Sequence, residues 1–231
     1  TLDGDYTTFE YEGNGTQATG SDNKGDVVGY SNFMGHSPCN FVPFERNAAG
    51  QLSTIRHRKK LLSGYLYIDT HGLLTGSYCN KRGDQVVYDG KKGKFKLSIP
   101  IHIDSDMVAP TGVNSAGTHV GVYYDSKTKT QHGFLYMNGT TTFIDYPDPA
   151  VTNTQLTGLN EKGIALGVWN KGDPQTWFGF TLDTNTGTFD PLDIPGATDV
   201  LAYGLNKAGL IALDTNVGPY VYCPDGAQCP H

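Results

Sequence analysis

Apolar positions fall in short runs, each closed by a turn rich in Gly, Asn and Asp. Runs such as "DVVGYS" (Asp26 to Ser31), "HVGVYY" (His119 to Tyr124) and "IALGVWN" (Ile164 to Asn170) are rich in β-branched and aromatic residues, and they read as strands rather than helices. The runs also recur. "SDNKGDVVGYS" from Ser21, "IDTHGLLTGSY" from Ile68, "VNSAGTHVGVY" from Val113, "LNEKGIALGVW" from Leu159 and "LNKAGLIALDT" from Leu205 place a glycine at 25, 72, 117, 163 and 209, at spacings of 47, 45, 46 and 46 residues. Asp22, Asp69, Asn114, Asn160 and Asn206 precede that glycine by three, which is the chemistry of an Asx turn between two strands.

Further runs complete each unit. "HGFLY" (His132 to Tyr136), "FGFTL" (Phe178 to Leu182) and "GPYVY" (Gly218 to Tyr222) follow the turn strand, and "TTFIDYP" (Thr141 to Pro147) and "FDPLDIP" (Phe189 to Pro195) come after them. Four short strands in a unit of this length are the signature of a β-propeller blade. "YTTFEYEG" (Tyr6 to Gly13) repeats the last-strand phrase but stands before the first turn, and the last unit ends at "VYC" without such a strand. The expectation is an all-β, five-bladed β-propeller, one domain over residues 1–231. Its N-terminal strand closes the last blade and removes an open edge.

Composition agrees with this. The chain of 231 residues has 30 Gly, 12 Pro and 14 Tyr and is 17% charged, as expected of a compact, turn-rich β protein long enough to bury a core. No apolar run approaches the roughly 18 residues of a membrane span, and the first residues lack a signal peptide's apolar stretch. A soluble protein is expected, in a mature form whose leader has been removed. Cys39, Cys79, Cys223 and Cys229 form no CxxC motif, so disulfides and an oxidising compartment are expected, with three pairings open. Cys223 with Cys229 is locally easy, and Cys39 with Cys79 would join adjacent blades. Sequons at Asn14 and Asn138 point to N-glycans and to a secreted protein or one in the secretory-pathway lumen.

"GLNEKGIALGVW", "HGFLY" and "DIPGATDVLAYGLNKAGLIA" resemble the extracellular HAF-type repeats over residues 107–222, with the first two units more diverged. The resemblance implies a propeller and leaves function open, because propellers host many activities.

Function is therefore sought where units depart from the repeat. Inner strands should line a central channel, with the segments between blades at one mouth. Aligning those segments places Arg56 where other units have Glu10, Ser98, Asp145 and Asp193, so Arg56, His57, Arg58, Lys59 and Lys60 form a basic insert. Residues 46–96 carry 11 Lys and Arg against Asp69, Asp84 and Asp89, a balance of +8 beside −14 elsewhere. This dipole suits an anionic or electron-rich partner, although Lys91, Lys92, Lys94 and Lys96 are expected on a solvated outer hairpin. The acidic remainder and a pI near 5.5 argue against nucleic acid.

Tyr65, Tyr67 and Tyr203 stand on inner strands where other units have Ala, Gly, Thr or Leu, and His102 enters the mouth in the third unit. Such rings would plug the ring or line an organic-ligand pocket. Trp169, Tyr78 and Tyr123 are expected between blades, and His132, Phe134 and Phe180 belong to the repeat as structural residues. No GxSxG, HExxH, P-loop or dinucleotide fingerprint occurs, and the seven His are scattered, so no metal or cofactor is expected. Asp104, Asp106 and Asp199 are the carboxylates outside the repeat that a glycosidase could pair.

The leading alternatives are a secreted sugar-binding propeller and a single asymmetric pocket. In overall character the second resembles the fungal hetero-Diels–Alderases of tropolonic sesquiterpene pathways. That resemblance implies cofactor-free cycloaddition of a tropolone o-quinone methide to an alkene such as humulenol, with small apolar or electron-poor substrates. Arg56, His57, Arg58 or His102 would be the donor at the quinone methide oxygen, and Tyr65, Tyr67, Tyr203 and Lys60 would contact substrate.

Overall fold

A computed structural model describes residues 8–11, 15–32, 41–57, 60–61, 66–69, 71–79, 85–91, 94–99 and 107–224. These residues are strands, turns and loops with no helix. Four antiparallel meanders each hold four strands. They are β1–β4 (Thr16–Ser21, Val27–Asn32, Phe41–Arg46, Leu52–Thr54), β7–β10 (Leu66–Ile68, Leu74–Cys79, Gln85–Lys91, Lys94–Ile99), β11–β14 (Met107–Val113, His119–Asp125, Thr130–Met137, Thr140–Ile144) and β15–β18 (Asn153–Leu159, Ile164–Asn170, Phe178–Asp183, Thr188–Pro191). A three-stranded sheet follows, β19–β21 (Val200–Leu205, Ile211–Thr215, Gly218–Tyr222), and β5–β6 (Arg56–His57, Lys60–Leu61) is a small ribbon after the first sheet. The sheets form a β-propeller arrangement with four complete blades. The last sheet has three strands among the described residues; the strand expected to complete it, Tyr6 to Gly13, lies partly outside them, and residues 8–11 carry no strand.

All five turns after the inner strands are the predicted Asx turns. Each Oδ1 accepts two backbone amides: Lys24 and Asp26 at Asp22, Ala116 and Thr118 at Asn114, Lys162 and Ile164 at Asn160. Asp69 and Asn206 do the same. The glycine that closes each turn has φ between 78° and 98°, a left-handed conformation that side chains disfavour.

The core lies between blades. Val120, Leu135, Leu156, Ala165, Trp169, Phe180 and Leu182 join the third and fourth blades, and Leu166, Val168, Leu192, Val200, Ala202, Ile211 and Leu213 join the fourth to the last sheet. Phe134 and Phe180, fully buried, lie against Gly121 and Gly167, where a Cβ would collide with the ring. Tyr123 packs beside Val108 and Phe134. His132 is structural too, holding Asp145 (2.7 Å) and the Thr130 hydroxyl (2.8 Å). The second and third blades meet differently: His119, fully buried, takes an apolar place of the repeat and hydrogen-bonds the Thr75 hydroxyl (3.2 Å).

Inner strands are also linked by a recurrent threonine. β1, β11, β15 and β19 each carry a bulge at the sixth residue before the turn glycine, which is Thr19, Thr111, Thr157 and Tyr203. The Thr111 hydroxyl donates to the Leu156 carbonyl (2.6 Å) and Thr157 to that of Ala202 (3.0 Å), each in the next blade; Thr19 donates likewise to Leu66. β7 pairs with β8 without the bulge and carries Leu66 and Tyr67 instead.

Candidate functional site

The ends of the five inner strands surround one central cavity of about 290 Å³. Four contribute the same triplet: 19–21, 111–113, 157–159 and 203–205, while the second blade contributes 67–69. The cavity is therefore built from the repeat, and its chemistry comes from the departures. Tyr67 occupies the place of Gly20, Gly112, Gly158 and Gly204, and Tyr203 the place of the inter-blade threonine. Tyr203 is 65% exposed, so its ring is not packed as a plug. Asp69, Glu161 and Lys207 bring charge to the same cavity.

Asp69 and His71 come from the turn of the second blade, and Glu161 from that of the fourth. The Glu161 carboxylate accepts the Ser115 amide (3.1 Å) and hydroxyl (2.5 Å) on the third blade and lies 3.3 Å from His71 Nδ1. Burial pushes the Glu161 carboxyl up, but the Ser115 hydrogen bonds and the His71 charge outweigh it and hold it below the usual glutamate value. Sequence reading assigned Asp69 to its turn and passed over His71, Glu161 and Lys207. The signal was present in the turns, where Glu161 aligns with Ser115 and Lys207, and His71 with Ala116 and Ala208.

Of the expected site residues, Tyr67 and Tyr203 meet in this cavity. Arg56 is exposed on the β5–β6 ribbon, paired with Leu61, and His57 is paired with Lys60. The ribbon precedes β7, whereas the cavity is formed by the far ends of the inner strands, and Arg56 does not line it. Arg58, Tyr65 and His102 lie outside the described residues, as do Asn14, Asp104 and Asp106. Asp199 accepts the Trp177 amide (2.6 Å), a structural role. Asn138 and Gly139, both at positive φ, make the β13–β14 hairpin turn and are exposed. Cys223 is held in a disulfide. No helix among the described residues is long and apolar enough to cross a membrane.

A second cavity of about 260 Å³ lies between the fourth blade and the last sheet, lined by Tyr146, Trp169, Phe178, Asp193 and Thr198 among others. Tyr146 stacks on Trp169 with centroids 4.8 Å apart and planes 7° apart.

No protein-family model matches this chain, and no curated protein matches it. Solved structures do. A putative TolB from Agrobacterium tumefaciens aligns with a TM-score of 0.59 at 7% identity, covering 93% of this chain and 72% of that one. TolB from Acinetobacter baumannii aligns at 0.56 with 11% identity, over 90% of this chain and 54% of that one. A putative gluconolactonase aligns at 0.51 with 15% identity, over 94% and 75%. At these identities the likeness is one of fold.

Proposed function

We propose that the protein is a pericyclase of the hetero-Diels–Alderase type, acting on small electron-poor organic substrates in the central cavity. The observation that carries this reading is Tyr203. At its position the repeat gains an inter-blade hydrogen bond from threonine, and the last sheet gives that up for a ring that is 65% exposed on the cavity. With Tyr67 opposite the rule of glycine, the fivefold repeat ends in a single asymmetric pocket rather than in repeated ones. Its volume is at the lower bound of ligand pockets, which run from about 300 to 1,000 Å³. In the reaction a tropolone o-quinone methide and an alkene such as humulenol form one C–C and one C–O bond and lose no atom. No redox step is needed; two apolar partners must be held in one pose, and orientation alone can supply several kcal/mol. Tyr67, Tyr203 and Lys207 line the cavity, and their hydroxyls and ammonium are the donor groups proposed for the oxygen that gains charge. Arg56, exposed on its ribbon, stands apart from this cavity.

Ring closure by the N-terminus belongs to the same proposal. Tyr11 sits against Phe44 as Tyr146 sits against Phe180, and its amide meets Thr16 as that of Tyr146 meets Thr154. Residues 8–11 thus occupy the place of the segment that follows a fourth strand. β21 leaves Tyr220, Val221 and Tyr222 exposed, the open edge that closure of the ring by the N-terminus would cover.

The test is the reaction itself. Protein mixed with a quinone methide precursor and humulenol should give stereochemically enriched adduct above a heat-denatured control, resolved by chiral chromatography. Equal racemic product in both would refute the reading. The second reading, a sugar-binding propeller, is favoured by the half-buried Tyr146 beside Asp193 and Thr198 in the second cavity, since an aromatic ring with polar neighbours suits a sugar ring. A glycan screen with Tyr146→Ala as control tests it.

A further inference from the structure

We propose that Asp69, His71 and Glu161 form a divalent-cation site of the zinc class that ties the second blade to the fourth at the mouth of the central cavity. The proposal stands apart from the pericyclase reading.

It begins at the Asx turns. In the third and fourth blades the asparagine works twice: Oδ1 caps its own turn, and Nδ2 donates to the next blade, from Asn114 to the Asn160 carbonyl (3.5 Å) and from Asn160 to the Asn206 carbonyl (3.3 Å). Asp69 keeps the first task, its Oδ1 accepting His71 N (2.9 Å) and Leu73 N (2.6 Å). It cannot perform the second, because an oxygen stands where the amide would donate. Oδ2 has no hydrogen-bond partner, although the side chain is only 2% exposed. A buried carboxylate oxygen in that state is costly unless a cation meets it.

The neighbours of Oδ2 are ligands. It lies 3.7 Å from His71 Nδ1, which is 3.3 Å from Glu161 Oε1, and the three atoms lie within 4.8 Å of one another. Tetrahedral zinc with bonds of about 2.0–2.1 Å places its ligand atoms about 3.4 Å apart. One imidazole with two carboxylates suits zinc better than calcium or magnesium, which take oxygen sets of higher coordination number. Ser115 fixes the other Glu161 oxygen with two hydrogen bonds and so aims Oε1 at His71, as hydrogen-bond donors behind a ligand do at metal centres. The rival arrangement is His71 paired with the two carboxylates and no metal.

The experiment titrates ZnCl2 into EDTA-treated full chain by calorimetry, with CaCl2 and MgCl2 for comparison. The expected result is one Zn2+ per chain, bound at least tenfold more tightly than Ca2+ or Mg2+. Asp69→Asn, His71→Ala and Glu161→Gln should each weaken Zn2+ at least tenfold. Asp69→Asn restores the asparagine of the third and fourth blades, so its zinc-free melting temperature should equal or exceed the wild type's, which separates lost binding from lost folding. A wild-type chain that takes no Zn2+, or an isotherm unchanged in all three variants, overturns the proposal.

Discussion

The second and fourth blades start from the same turn and end with opposite interiors. In the fourth, Asn160 caps its turn and reaches the next blade, Thr157 does likewise, and Leu156, Trp169, Phe180 and Leu182 bury an apolar wall against the third blade. In the second, aspartate replaces the asparagine, Leu66 and Tyr67 replace the bulged threonine and its glycine, and Thr75 meets a buried His119 where the repeat has aliphatic contact. The fourth blade shows what the repeat needs for stability. The second shows which positions have been released from that need, and those positions gather at the cavity.

This contrast predicts a ranking of effects. Phe180→Ala, which strips the regular wall, should cost about 3–5 kcal/mol in urea unfolding, because a large cavity opens against Gly167. His119→Ile should cost about 1–3 kcal/mol by removing one partner of a buried hydrogen bond, and adding Thr75→Val should recover most of it by turning the interface into the apolar kind. Recovery that fails would mean that the polar contact is not what distinguishes the two interfaces. Glu161 gives a smaller effect with a sign. Its carboxyl is held below the usual value in the fold, so its stabilisation is full at neutral pH and fades as pH falls through the glutamate range towards that depressed value. The melting-temperature gap between wild type and Glu161→Gln should close in acid; a gap that widens would reverse the account. Tyr203→Thr should have the smallest effect on stability, within about 0.5 kcal/mol, since it puts back the residue of the repeat.

Much of this was legible in the sequence because it is local. The Asp or Asn three residues before each glycine specifies a turn within five residues, and all five turns form as read. Phe134, Phe180 and Trp169 were legible as core because the repeat pairs them with a facing glycine or an apolar strand. Tyr67 and Tyr203 were visible as departures, and their shared cavity follows from the inner-strand alignment. The Asp69, His71 and Glu161 cluster was not legible, because it forms between the second and fourth blades and each member looks ordinary within its own turn. The weight given to Arg56 came from a dense local charge run. A charge run reports where cations are in the sequence, and Arg56, which opens it, sits on a ribbon and does not line the cavity.

The central claim is that the two tyrosines released from the repeat make the cavity a single asymmetric site. The most direct measurement compares the enantiomeric excess of adduct formed by wild type and by the Tyr67→Ala/Tyr203→Thr double variant, at equal folded concentration checked by circular dichroism. The account predicts enriched product from the wild type and racemic background from the variant. Undiminished enrichment from a folded variant would contradict it and move the site away from the central cavity.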